Sequence, residues 1–435
     1  MRKAARRIVE KLRLQGHDAV FAGGWVRDFL LHRRSKDIDI ATSARPDEIL
    51  RLFPNARSIG AQFGVIQVLM YGHAYEVATF RSDREYLDGR HPFSVTYSGP
   101  EQDALRRDFT INGLFYDPVG GRIIDYVNGS GDIRSKRIRT IGDPSERFAE
   151  DKLRMMRAIR FSCNLGFRIV PETWNAIRRF APDILQVSWE RIRDELIQLF
   201  RGPAPGTGLD LLYESGLLTH ILPEIGAMRG IPQVPASPAG KDVFVHTRTA
   251  LAMLHKPSAV LALGTLLHDS GKTSTYAADT PACYELHAEA GVKISERICR
   301  RLRMSNEETD RIVDLVATHM DFAQADGLRV SGLRRLLRKS DIADHLELFR
   351  VNCLSSEKSL DTYWMCRRKL HESTLSPAGS PLINGKDLID MGYSPGPIFK
   401  EILRTIEDLQ LEEILRTREE AVRHIRSAFP IKDKI

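Results

Sequence analysis

Residues 19–42 read AVFAGGWVRDFLLHRRSKDIDIAT, and the order of signals in this stretch decides the fold. AVFA is an apolar run that ends in the pair Gly23-Gly24, the mark of a strand running into a tight turn. WVRDFLL restarts with helical spacing, and DIDIAT then alternates with period two. On a strand, that alternation sends Asp37 and Asp39 to one face while Ile38 and Ile40 enter the core. Two carboxylates converging on a small site repel each other unless a divalent cation lies between them, and hard oxygen ligands suit Mg²⁺. The glycine turn adds backbone N–H groups and the positive end of a helix, a combination that binds phosphate, with Arg27 one turn in.

Strand, glycine turn, helix and DxD strand in this order describe a site that holds a triphosphate beside two metal ions. One ion lowers the pKa of an attacking hydroxyl and the other neutralises the leaving pyrophosphate, so the chemistry implied is nucleotidyl transfer. Glu76, on the strand-like run AYEVATF, is open to two readings: a third carboxylate of the site, or an exposed strand residue.

Outward from this stretch, residues 1–142 alternate helix and strand. Ile8 and Leu12 mark an N-terminal helical stripe, and GVIQVLMY, AYEVATF, FSVTY, LFYDP and IIDYV are strand-like, the first two joined through Gly72. A mixed or antiparallel sheet with few helices is expected. From Pro144 the pattern turns helical, with SERFAEDKLRMMRAIRFSCNL, PETWNAIRRF, SWERIRDELIQLF and TGLDLLYESGL read as helices of a unit spanning 143–232. The Pro-, Gly- and Ala-rich segment Gly230–Asp242 is a linker, a second all-helical unit fills 242–366, and a helical tail occupies 367–435. The expected class is therefore α+β. No internal repeat is present.

Length and composition bound the function. At 435 residues, 42% hydrophobic and 28% charged, the chain suits about three soluble globular units. Its longest apolar run, Ala259–Leu267, falls well short of the roughly 20 residues a membrane span needs. The five cysteines (Cys163, Cys283, Cys299, Cys353 and Cys366) are scattered without CxxC spacing, which argues against a disulfide framework or thiolate zinc site and for a reduced, cytoplasmic setting. MRKAARRIVEKL is Arg-rich without an apolar core, so it is read as a helix and not a targeting peptide. The net charge of +7 favours a polyanionic partner, and Arg134–Arg193, with 14 basic and 7 acidic residues, carries an excess equal to that of the whole chain. Solvated helix faces are the plainer account of the same run.

Three longer segments carry a resemblance. GGWVRDFLLHRRSKDIDIAT (Gly23–Thr42), RRDFTINGLFYDP (Arg106–Pro118) and ERFAEDKLRMMRAIRF (Glu146–Phe161) resemble, in order, the signature motifs of bacterial class II tRNA nucleotidyltransferases, the CCA-adding enzymes and their poly(A) polymerase relatives. The resemblance spans about the first 225 residues. It implies a DNA polymerase beta-like nucleotidyltransferase head followed by all-α neck and body domains that hold tRNA. It implies catalytic, Mg²⁺-binding roles for Asp37 and Asp39, and contacts from Arg106, Arg107, Asp108 and Asn112 to the sugar and phosphates of the incoming nucleotide. Where the family has a further glycine pair, this chain has Asn128-Gly129, a departure expected to matter little. The segment RSDREYLDGRHPFSVTY resembles the flexible loop of A-incorporating members, which disfavours CC-only activity. GAQFGVIQV lacks the basic stretch of bacterial poly(A) polymerases, which favours tRNA. A full CCA enzyme and an A-adding specialist both remain open, and the sequence is silent on oligomeric state.

In EDKLRMMR, Asp151 and Arg154 are three apart and would share a helical face, with Arg157 one turn on. Surface pairing explains that spacing as well as recognition does. The recognition account is chemical: cytosine and adenine present an amino donor beside a ring-nitrogen acceptor, whereas uracil and guanine present a carbonyl beside an N–H. A carboxylate with a guanidinium accepts the first pattern and rejects the second, so these residues would select CTP and ATP.

In the second unit, His246, His268-Asp269 in LLHDSGKT, His287 and His319 lie at helix-length intervals, a donor set suited to a transition metal. HDxGK with this spacing resembles the HD phosphohydrolase superfamily over about residues 242–360. The last metal-binding aspartate expected from that resemblance is replaced by Asn352, an amide that adds no negative charge. Metal-dependent hydrolysis and a degenerate structural or RNA-supporting role both remain open. Two whole-chain alternatives, an HD phosphohydrolase whose head only recruits RNA and a non-catalytic RNA-binding protein, are opposed by the intact Asp37/Asp39 pair.

Overall fold

In the computed structural model, AVFA and DIAT are neighbouring antiparallel strands, β1 (Ala19–Ala22) and β2 (Asp39–Thr42), with Ala22 opposite Asp39. The structure describes all residues except 36, 61–63, 87–91, 234–241, 277–285, 376–380 and 431–435. Cys283, parts of GAQFGVIQV and of the Arg81–Tyr97 segment, and most of the interdomain linker thus lie outside the described residues. The chain divides into two units, 1–226 with 301–303, and 227–300 with 304–435. Among the described residues, no helix is long and apolar enough to cross a membrane.

The first unit carries a seven-stranded sheet of order β3-β4-β5-β2-β1-β8-β9, where β3 is Ala56–Gly60, β4 Val65–Met70, β5 His73–Thr79, β8 Leu114–Asp117 and β9 Arg122–Asp125. One pair is parallel, β2 with β5, and the others are antiparallel, which fits the mixed sheet expected. β4 and β5 meet in a two-residue turn at Tyr71-Gly72, both with positive φ (50° and 76°), a conformation whose twist matches the flanking strands. Arg81–Tyr86 (β6) and Pro92–Tyr97 (β7) pair antiparallel as a separate hairpin. The segment read as loop-like therefore holds strands on both sides of residues 87–91. The N-terminal helix Arg2–Leu14 buries Ala4, Ala5, Ile8, Val9 and Leu12 on one face, as its spacing requires.

Helices complete this unit: Pro144–Glu150, Arg154–Leu165, Pro171–Phe180, Trp189–Phe200, Pro205–Glu214, Leu217–Ile221 and Pro223–Gly226. Proline opens four of them, where its missing N–H costs nothing. The expected continuous helix through ERFAEDKLRMMR is two helices. Asp151 is extended (φ −145°, ψ 103°) and caps the first, and the second starts at Arg154. The cause is local: Asp151 Oδ1 accepts the Leu153 N–H at 3.1 Å, which offers the backbone an alternative to helical bonding.

The second unit is helical throughout. Its centre is Ala259–Leu267, buried from Val260 to Leu267, which accounts for the longest apolar run in the chain. Asp242 and Ser258 cap the helices Val243–Ala252 and Ala259–Leu267 through the N–H groups of Val245 and Leu261. Two further apolar clusters, one around Phe322, Phe349 and Cys366 and one around Leu388, Ile402 and Ile425, hold the remaining helices. Cys163, Cys299, Cys353 and Cys366 are free and buried.

The Asn128-Gly129 departure has a structural account. Asn128 adopts φ 58°, the left-handed region that asparagine tolerates best among residues with a Cβ. Gly129 is different: an added Cβ would lie 2.1 Å from the Thr110 carbonyl oxygen. Gly129→Ala is therefore expected to lose about 3 kcal/mol of stability through overpacking, while Asn128→Gly changes it by a few tenths. Denaturant titration of both variants measures the contrast, and equal effects would contradict it.

Candidate active site and a histidine–aspartate cluster

The β2–β5 pairing sets Ile40 beside Val77, so one step back along both strands Asp39 neighbours Glu76. Both flanking apolar residues are fully buried, which fixes the register and turns the two carboxylates to the same side. Asp39 keeps access to solvent yet is crowded enough that its acidity changes. Burial first, then Glu76 and Asp37, push its pKa up to about 6 against the opposing pull of Arg107. Glu76 thus belongs to the carboxylate group and not to an unrelated strand face. An uncompensated cluster of hard oxygen donors is the chemistry that a Mg²⁺ ion fits.

The glycine turn closes over this group. Gly23 has φ 66°, and a Cβ there would stand 2.9 Å from Arg107 Nη1 and 3.9 Å from Asp39 Oδ2. Conformation favours glycine here, and a side chain would also press on the end of Arg107. The Gly23 N–H donates to the Leu114 carbonyl at 3.1 Å and the Val26 and Arg27 N–H groups to the Gly23 carbonyl at 3.0 and 3.3 Å, so the amides that remain for an anion are those of Gly24 and Trp25. Arg106 and Arg107 are held by opposite oxygens of buried Asp103, at 2.7 and 2.9 Å. Burial opposes ionisation of Asp103, but the two guanidinium groups prevail and hold it below the usual carboxylate range.

A second chain of polar contacts runs from the turn into the helices. Arg27 Nη1 donates to Asn112 Oδ1 at 2.8 Å, and Asn112 Nδ2 donates to Asp108 Oδ1 at 3.0 Å. Arg157 donates to Asp108 Oδ2 from Nε (3.0 Å) and Nη2 (2.7 Å). Burial opposes its ionisation too, and Arg157 with these hydrogen bonds holds Asp108 below the usual range. Glu195 lies 3.6 Å from Arg157 and accepts from Arg160 Nε at 2.5 Å. The ring of Phe161 has Arg27 and Arg157 each 5.3 Å from its centroid.

Asp151 and Arg154 come from separate helices and have separate partners. Asp151 Oδ2 accepts from Arg191 Nη2 at 2.8 Å. Arg154, buried, donates to Glu150 Oε2 at 2.6 Å and to the Arg147 carbonyl at 3.0 Å. Sequence reasoning missed Asp103, Glu150, Arg191 and Glu195. Local spacing carried a signal for Asp103, three and four residues before Arg106 and Arg107, for Glu150, adjoining Asp151, and for the i, i+4 pair Arg191/Glu195 in SWERIRDEL.

In the second unit, His246, His268, Asp269, His287 and His319 converge, all buried. The Nε2 atoms of His246 and His268 are 3.1 Å apart and those of His287 and His319 3.0 Å apart. Asp269 lies between the pairs, Oδ2 at 3.5 and 3.4 Å from the first and Oδ1 at 3.3 and 3.6 Å from the second. His268 and His319 each donate Nδ1–H to a carbonyl, of Thr265 and Val316 at 2.7 Å, leaving Nε2 as the ligand atom facing inward. Burial pushes His246 down to about 3 and lowers His319. Asp269 is held well below its usual value despite burial, first by Lys272. For His246, His319 and Asp269 these directions favour the states metal binding requires, neutral imidazole and ionised carboxylate. Lys272 Nζ and Gln233 Nε2 also bond Asp269 Oδ2, at 2.9 and 2.8 Å. Asn352 is half-buried on Ile342–Ser355, the helix whose Ser355 backbone reaches His246.

Residues 19–139 match the family described as the poly A polymerase head domain, 166–228 match the probable RNA and SrmB-binding site of polymerase A, and 243–348 match the HD domain. Fold and site together define a nucleotidyltransferase that carries an HD domain. More closely, the chain belongs to the CCA-adding enzymes, the tRNA nucleotidyltransferases. It is 45% identical over 411 residues to the CCA-adding enzymes of Geobacillus stearothermophilus and Geobacillus thermodenitrificans, covering 92% of this chain and 90% of each relative. The Bacillus stearothermophilus CCA-adding enzyme in complex with CTP superposes with a TM-score of 0.75 and 28% identity, covering 98% of both chains. The Thermotoga maritima CCA-adding enzyme complexed with tRNA shares the fold, with a TM-score of 0.61 at 17% identity, covering 98% of this chain and 95% of that one.

The Asp108–Arg157 pair generates a stability prediction. Arg157→Met leaves a buried carboxylate uncompensated and should cost about 2 kcal/mol, the low side of a broken buried pair because Arg157 stays partly open to solvent. Adding Asp108→Asn should recover most of it. Because the Asp108 pKa is lowered by folding, its contribution is present above the unfolded value of about 4 and is lost as pH falls through the folded one. The advantage of the wild type over the double variant should therefore shrink on acidification, as followed by denaturation at a series of pH values.

Proposed function

We propose that this chain adds CCA to the 3′ ends of tRNA, with CTP and ATP as substrates, Mg²⁺ as cofactor and protein side chains as the template. The observation that carries the reading is the carboxylate group Asp37, Asp39 and Glu76 beneath the Gly23 turn, in a chain 45% identical to CCA-adding enzymes. Asp37 and Asp39 would hold Mg²⁺, which when bound activates the 3′-hydroxyl and neutralises pyrophosphate. The Gly24 and Trp25 amides and Arg107 would bind the triphosphate, with Arg106 supporting it. Asp108 and Asn112, bonded to each other and to Arg157 and Arg27, act as a brace behind the sugar and phosphate pocket. Asp151 accepts the amino group of cytosine or adenine, and Arg154 donates to the ring nitrogen. The basic stretch Arg134–Arg193 holds the tRNA backbone.

Asp37→Ala and Asp39→Ala should each abolish addition, lowering the rate by at least about a thousandfold, while tRNA affinity changes little. Incubating tRNA that ends in the discriminator base, or in CC, with each nucleotide separately tests the activity, and filter binding tests the affinity. Residual turnover near the wild-type rate would refute the assignment.

A second reading concerns the buried cluster at Asp269, whose inward Nε2 atoms favour a transition-metal centre over a purely structural core. Elemental analysis of the purified protein after metal loading should give bound metal that Asp269→Asn removes, with the head's nucleotide addition unchanged. Metal content below one per ten chains in the wild type would show the cluster to be structural. With metal bound, hydrolysis of phosphomonoesters that disappears in His268→Ala would assign the centre a hydrolytic role.

A further inference from the structure

Asp151 sits where helical bonding is interrupted, so its side chain is not oriented by a regular helix on either side. Two donors fix it instead, the Leu153 N–H on Oδ1 at 3.1 Å and Arg191 Nη2 on Oδ2 at 2.8 Å. The first comes from its own turn and moves with it. The second comes from Trp189–Phe200, 40 residues away, and is the contact that ties the carboxylate to another element. One turn further along the same helix, Glu195 holds Arg157 and Arg160. Arg191 and Glu195 therefore share a helical face and grip, with opposite charges, Asp151 before the second helix and two arginines along it.

We propose that Arg191 is the positioning residue for base selectivity, acting through Asp151; this rests on the reading of Asp151 as the acceptor for the base amino group. A carboxylate has about four lone-pair sites, so two bonded donors leave two for a base. Accepting an amino group requires only that one of these be within reach. Rejecting uracil or guanine requires more, because the carbonyl must be forced against an acceptor that cannot turn aside. Rigidity of Asp151 thus matters more for exclusion than for binding. A bidentate-capable, planar guanidinium from a neighbouring helix supplies that rigidity in a way a flexible ammonium does not.

The test measures kcat/KM for CTP and for UTP on tRNA ending in the discriminator base, with wild type, Arg191→Met, Arg191→Lys, Asp151→Ala and the Arg191→Met/Asp151→Ala double variant. The CTP/UTP ratio is taken within each preparation, so a misfolded fraction cancels. Arg191→Met should lower the ratio about tenfold, the scale of one base-edge contact, chiefly by a gain for UTP. Arg191→Lys should give an intermediate ratio, and the double variant should match Asp151→Ala. A ratio unchanged in Arg191→Met while Asp151→Ala lowers it would overturn the role of Arg191 and leave base reading intact. A ratio unchanged in Asp151→Ala would overturn the reading on which the proposal rests.

Discussion

The burial of Asp39 beside Glu76 is the constraint around which the sheet of the first unit is arranged. It follows from one pairing: β2 and β5 run parallel with Ile40 beside Val77, and slipping that register by one residue would turn Asp39 inward and the isoleucine out. The apolar side of the same strands holds the register against the electrostatic penalty, since Ile40 and Val77 are completely buried. The carboxylates are thus confined by hydrophobic packing to a place their charge disfavours, and the rise of the Asp39 pKa to about 6 records the conflict. A site in that condition gains free energy from any cation that enters it.

Compensation elsewhere is by arginine. Asp103 takes Arg106 and Arg107, Asp108 takes Arg157, Asp151 takes Arg191, and Glu195 takes Arg160. Each guanidinium is planar and presents several donors in fixed directions, so each pair sets an orientation as well as a charge balance. Asp39 is the contrast. Arg107 pulls against burial, Glu76 and Asp37 there without balancing them, while the carboxylates that orient other groups are matched on the spot. Asp108 shows the second case, accepting from Arg157, Asn112 and its neighbour's backbone, which leaves its carboxylate engaged as a brace.

How much of this was legible in the sequence depended on range. DIAT and AYEVATF declared their strands because a period of two needs no distant partner, although the strand starts only at Asp39 and leaves Asp37 before it, and PETWNAIRRF declared its helix by equally local signals. The break at Asp151 was hidden. Nothing in EDKLRMMR is a helix breaker, and a single side-chain bond to the Leu153 N–H stops the first helix. Ion partners were less legible still: Arg157 with Asp108 and Arg191 with Asp151 lie 49 and 40 residues apart, and periodicity carries no information at that distance. β3 escaped notice because ARSIG lacks the alternation that marks a half-buried strand. The histidines of the second unit were legible as candidates, but Gln233, which bonds Asp269 from within the linker, was not.

The two donor groups of the chain differ in a way that sorts metals. In the head the carboxylate oxygens lie at the start of a strand that keeps access to water, with Asp37 just before it, a setting in which Mg²⁺ would retain part of its hydration. In the second unit they are imidazole nitrogens around one carboxylate, all buried, with tautomers of His268 and His319 fixed by the Thr265 and Val316 carbonyls. A borderline cation that binds nitrogen gains there and has little reason to prefer the head, whereas Mg²⁺ has the opposite preference. Lys272 complicates the balance, because its ammonium already neutralises Asp269 from 2.9 Å and must yield or share that oxygen when a cation enters. The cluster sets one carboxylate against four imidazoles among the described residues. A cation entering it would therefore be held by nitrogen donation more than by charge, which would favour metals late in the first transition row over hard divalent ions.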